Sequence, residues 1–89
     1  MRITIAKTDK YFEQNLDAIT AHINRNRERC IVYILTLGET IRANMIGVDR
    51  SHFQQLNWVK HHDGQSDVGS IHLDQVEAVT LLHFDHGTP

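Results

Sequence analysis

Phe12, Leu16, Ile19 and Ile23 recur at i, i+4, i+7 and i+11, and beyond Cys30 no such helical period returns. That change of period constrains the fold more than any other feature of the chain. The stretch TDKYFEQNLDAITAHINRNRER carries one apolar stripe, which predicts a helix over about residues 9 to 28. Thr8 or Asp9 is placed to cap it. Glu13 and Asp17 fall toward the positive end of its dipole, and Arg25, Arg27 and Arg29 gather at the negative end.

From Cys30 onward, CIVYILTL, TIRANMIGV, FQQLNWVKH, SIHL and VEAVTLLHF alternate or form short apolar runs, which predicts five strands after a short extended start, RITI. A tight turn at Gly38-Glu39 and a polar bend from Asp49 to His52 make the first three an antiparallel meander. HDGQSDVG is the longest connection and reads as a mobile loop. A bent antiparallel sheet this small closes most readily on itself. The predicted fold class is therefore mainly β: an N-terminal α-helix followed by a small, strongly bent five-stranded antiparallel barrel over about residues 30 to 84.

The 89 residues suffice for one domain, and a chain this short buries only about 60% of its unfolded surface. Small domains usually gain further stability from disulfides, a metal or a partner subunit. One cysteine, Cys30, rules out an internal disulfide and suits a reducing, cytoplasmic setting. No membrane span or secretory signal is expected. The net charge of −2 provides no global positive field, but eight of the nine basic residues lie in the first fifty positions. An anion-binding face has to draw on that half.

The segment GETIRANMIGVD places Ile41, Ala43, Met45 and Gly47 at alternate positions before Val48-Asp49. Small inward residues suit a strand that bends sharply to serve both halves of a barrel, and Ala43 and Gly47 fit that need. With its glycine, apolar, small, apolar, glycine, apolar and aspartate spacing, the segment resembles the first motif of the Sm and Sm-like family, which includes bacterial Hfq. IHLDQV, Ile71 to Val76, is similar to the second motif, with Asp74 at its Asp or Asn position. The helix, meander, variable loop, short strand and last strand follow the same order over about residues 8 to 84.

The resemblance implies a homo-oligomeric ring, closed by pairing Val68 to Leu73 of one subunit with the last strand, Val76 to Phe84, of the next. It also implies single-stranded RNA, U-rich or A-rich, as the partner. In DRSHFQQL, His52 or Phe53 is placed to stack on a base, Gln54 to take the part of the family's asparagine, and Arg50 to meet phosphate or a base plane. The plainer reading makes Phe53 a core residue and His52 a solvated loop residue. His72-Leu73 stands where family members carry Arg-Gly or Lys-His. Arg25, Arg27 and Arg29 can track phosphates, or can simply complement the helix dipole. The departures leave a second reading, a protein-interaction ring of the same fold without an RNA pocket.

His61-His62-Asp63 and His83-Asp85-His86 lack the spacing of a helical metal motif, and no nucleophile elbow or phosphate-cradling loop occurs. Cys30, at the start of an apolar strand, reads as a small core residue. No enzyme activity, cofactor or metal is expected.

Overall fold

The computed structural model describes residues 1–86. Seven strands, one α-helix and two single 3₁₀ turns follow in the order β1 (Arg2–Ala6), α1 (Phe12–Arg25), a turn at Arg27–Arg29, β2 (Cys30–Thr36), β3 (Thr40–Ala43), β4 (Met45–Asp49), β5 (Gln55–His62), β6 (Gln65–His72), a turn at Leu73–Gln75, and β7 (Val76–His83). The helix buries the four residues of its stripe, Phe12, Leu16, Ile19 and Ile23. It starts later than expected and without the expected cap. Tyr11 holds the cap position with no side-chain hydrogen bond, because the Asp9 carboxylate accepts instead from the Ala6 backbone N–H at 2.8 Å.

The strands form two antiparallel sheets, ordered β1-β7-β2-β3 and β4-β5-β6. Neither sheet closes on itself, so the closed five-stranded barrel of the sequence reading gives way to seven strands in two sheets. Three local features account for the difference. RITI is a full strand, paired along β7 from Arg2↔Leu82 to Ala6↔Ala78. The expected second strand divides at Asn44, which sits between β3 in one sheet and β4 in the other. Asn44 patches the division: its backbone N–H donates to Val59 O at 2.8 Å, and its side-chain oxygen accepts from His61 N at 2.8 Å. Finally, HDGQSDVG is no long loop. His62 pairs with Gln65 across a two-residue turn, Asp63-Gly64, both with positive φ (49° and 78°). That is the Asp-Gly hairpin turn, whose backbone twist matches the strands it joins.

The core is shared between α1 and both sheets. Ile5, Val32, Ile34, Val76, Val79 and Leu81 from the first sheet meet Ile46, Leu56 and Ile71 from the second, with the helix stripe against them. Val76 and Val79 are three residues apart yet both fully buried. A bulge makes this possible: Leu35 pairs with Ala78 and Thr36 with Val76, leaving Glu77 as the extra residue. No helix of the described residues is long and apolar enough to cross a membrane.

β7 lies between β1 and β2, so both its edges are paired within the chain. The expected ring contact, Val68 to Leu73 on the edge of the next subunit's last strand, therefore meets an edge that β1 already covers. The missed signal was RITI itself, whose register against β7 spans some 76 residues of sequence and leaves no local trace.

Candidate nucleic-acid interface

The chain turns sharply where β4 ends. Asp49 Oδ1 accepts from the Ser51 backbone N–H at 2.8 Å and from its hydroxyl. These bonds, the hydroxyl first, hold the Asp49 carboxyl below the usual aspartate range. The turn leaves His52 and Phe53 outward, edge to face with ring centroids 5.4 Å apart. Phe53 is 64% exposed, so its place is the surface and not the core. Gln54 takes φ of 48°, and its side-chain amide donates to Ser51 O at 2.7 Å and to Arg50 O. The amide expected to read a base instead holds the loop to itself.

This loop is fastened to the second motif. Gln54 O accepts from Leu73 N at 2.9 Å, and Gln55 pairs with His72. His72 Nδ1 accepts from the Asp74 backbone N–H at 3.2 Å. An accepting Nδ1 places the ring proton on Nε2, so the 3.6 Å approach of Nδ1 to the Asp74 carboxylate is not an ion pair in that tautomer. Lys7 joins from the end of β1, its ammonium donating to Asp74 O. Lys7 was not among the sequence candidates. It lies 67 positions from Asp74, and only the β1–β7 pairing brings it there.

Arg50 points the other way. Its guanidinium donates to Glu13 Oε2 from Nε at 3.1 Å and Nη2 at 2.7 Å, and to Asp17 Oδ1 from Nη1 at 2.6 Å. These bonds, Glu13's first, hold it more firmly protonated than an isolated arginine. The fork is occupied by helix carboxylates rather than presented to a phosphate. Arg25, Arg27 and Arg29 line a shallow hollow with Asn24, Asn26 and Glu28 at the far end of the helix. At about 1.5 Å per residue, Arg25 stands about 18 Å along the axis from Glu13. The structure thus fastens the loop that carries His52 and Phe53, through Gln54, to the turn that carries His72 and Asp74, and leaves the arginine cluster apart.

At that far end, three groups meet that the sequence reading did not connect. His22 Nε2 lies 2.6 Å from His83 Nδ1, and Cys30 Sγ lies 3.9 Å from the same nitrogen. Burial lowers the His22 pKa, with smaller contributions from His83 and Arg25, and burial pushes the Cys30 thiol up. The local histidine motifs have ordinary surface roles: His61 Nδ1 is 2.8 Å from Ser66 Oγ, and His62 Nε2 is 3.1 Å from Asp63 Oδ2. Comparison with protein-family models, with curated proteins and with solved structures finds no match to this chain.

Proposed function

We propose that this protein is an Sm-like module that binds single-stranded RNA. In this reading His52 and Phe53 form the platform on which a base stacks, the Nε2–H of His72 on the adjoining turn is a donor, and Lys7 supplies positive charge. The observation that carries the reading is the Leu73 N to Gln54 O hydrogen bond, which holds an exposed aromatic loop against the His72 to Asp74 turn. Phe53 is one of several exposed large apolar side chains, and it differs from the aliphatic ones in offering a ring, edge to face with His52, on which the face of any base can stack. Arg50 acts at one remove, by setting the loop against α1. With Arg50 held by Glu13 and Asp17 and the arginine cluster at the far end of the helix, few phosphate contacts contribute in this reading, and a shallow salt dependence of binding is expected.

The module works as a homo-oligomer in this proposal. With β7 covered, the edge strands among the described residues are β1 and β3 of one sheet and β4 and β6 of the other. The proposal joins β6 of one copy to β1 of the next, a heterologous contact whose closure gives a ring. The closure of Arg50 on Glu13 and Asp17 favours the second reading, a protein-interaction ring without an RNA pocket.

Titration of oligo-U, oligo-A and heparin separates the two readings. RNA binding is expected to weaken roughly 5- to 100-fold in Phe53→Ala, the worth of one stacked base, with a smaller loss in His52→Ala. Leu37→Ala, at another exposed apolar residue, is expected to leave it unchanged. Equal affinity for heparin and RNA, unmoved by Phe53→Ala and His52→Ala, would replace the RNA reading with the interaction ring.

A further inference from the structure

Three side chains capable of binding a metal converge at the C-terminal end of α1. His22 comes from the helix's last turns, Cys30 is the first residue of β2, and His83 is the last residue of β7 and the cross-strand partner of Cys30. The ligand atoms of all three lie within 4.8 Å of one another. Cys30 is fully buried, and the two imidazoles are half-buried. The rings meet edge to face with centroids 4.9 Å apart. We propose that His22, Cys30 and His83 form a binding site for a divalent transition metal of the zinc type.

Two imidazole nitrogens and one thiolate are a donor set that zinc favours, intermediate between hard oxygen sites and all-sulfur sites. Tetrahedral bonds of about 2.0 to 2.1 Å to nitrogen and 2.3 Å to sulfur set the donors about 3.4 Å (N···N) and 3.6 Å (N···S) apart. His22 Nε2 and His83 Nδ1, now 2.6 Å apart, have to separate by under an ångström, while Cys30 Sγ, at 3.9 Å from His83, has to move slightly closer. His22 has room for that movement. It lines a groove of about 540 Å³ between α1 and β1, together with Met1, Ile3, Ile19 and Arg25. The groove also gives a fourth ligand, water or a small anion, access to the ion. Only one proton fits between the two facing nitrogens, and on coordination it shifts to a ring nitrogen pointing away, while the thiol proton leaves to solvent.

The site would join three elements distant in sequence, the kind of cross-link a domain this small gains most from. Arg25, one turn beyond His22, opposes the ion's charge, so Arg25→Ala is expected to bind more tightly. The site does not depend on the RNA reading.

The test is titration of the metal-free protein with Co²⁺, followed by displacement with Zn²⁺. One equivalent of Co²⁺ is expected to produce the intense visible bands of tetrahedral cobalt and a near-ultraviolet thiolate-to-cobalt absorption. Zn²⁺ should abolish both and raise the melting temperature. Cys30→Ser is expected to remove the thiolate absorption, and His22→Ala to weaken binding at least tenfold. Circular dichroism tracks folding, and the half-buried position of His22 keeps that variant informative if Cys30→Ser does not fold. Absence of the thiolate absorption from the wild type, its survival in Cys30→Ser, or its loss in His61→Ala/His62→Ala but not in His22→Ala would overturn the site.

Discussion

Ala43 and Gly47 share a strand motif, yet the structure separates their roles. Ala43 is fully buried in the core cluster, opposite Val32. A Cβ added at Gly47 meets nothing within 4 Å, and the backbone there is not left-handed. The sequence reading constrained both positions by the bend, and for Gly47 that is corrected: the bend turns on Asn44, whose backbone and side chain bridge the two sheets. Ala43→Leu is therefore expected to cost about 1 to 3 kcal/mol through overpacking. Gly47→Ala should be neutral, or stabilise by up to about 1 kcal/mol by restricting the unfolded chain. For a domain of this length each kcal/mol is about 4 to 8 °C in melting temperature, so calorimetry of the two variants distinguishes them. Equal losses in both would restore the constraint at Gly47.

The hairpin of β5 and β6 has its own internal fit. Trp58 pairs with Gly69, and its indole lies across the glycine so closely that a methyl group there would sit 2.8 Å from Nε1 and nearer still to two ring carbons. The missing side chain of one strand is filled by the aromatic ring of the other. Gly69→Ala is expected to push the indole off its seat, costing about 1 to 3 kcal/mol and shifting the emission of the chain's one tryptophan. Gly64→Ala places a side chain at φ of 78° in the turn. Its expected cost is about 1 to 2 kcal/mol, with the emission unmoved because Trp58 is untouched. Emission unchanged in Gly69→Ala would mean that the ring does not rest on Gly69.

At the scale of the molecule, β1 decides which edge of its sheet is open: it covers β7 and becomes an edge itself. Met1 and His83 exchange both backbone hydrogen bonds, at 3.0 and 2.9 Å, and Lys7 N donates to Glu77 O at 2.9 Å. In an antiparallel pair such bonded partners alternate, so the N–H groups of Arg2 and Thr4 face away from β7. Arg2→Pro therefore blocks the outer edge without removing a bond to β7. If copies join through β1 and β6, light scattering should find an oligomer in the wild type and a smaller species in Arg2→Pro, with the melting curve of the isolated fold little changed. A wild type that stays monomeric at micromolar concentration would rule out the ring. An Arg2→Pro variant with the wild-type mass would place the contact elsewhere.

What the sequence determined by itself is what nearest neighbours along the chain decide. The helix stripe from Phe12 to Ile23, the β character after Cys30 and the polar bend from Asp49 to His52 all depend on periods and turn residues within a dozen positions, whereas the exposure of Phe53 does not follow from them. Asp63-Gly64 belongs with them, since an Asp-Gly pair between two strands is itself a hairpin signal. Tertiary structure decided whatever depends on which distant strands pair. β1 against β7 covers the expected docking edge and delivers Lys7 to the His72 to Asp74 turn, while α1 captures Arg50 through Glu13 and Asp17. The same pairing of β2 with β7 sets Cys30 beside His83, and the end of α1 adds His22. None of these residues carries a mark of its partner, because a strand's period of two says which face is buried but not which edge it meets.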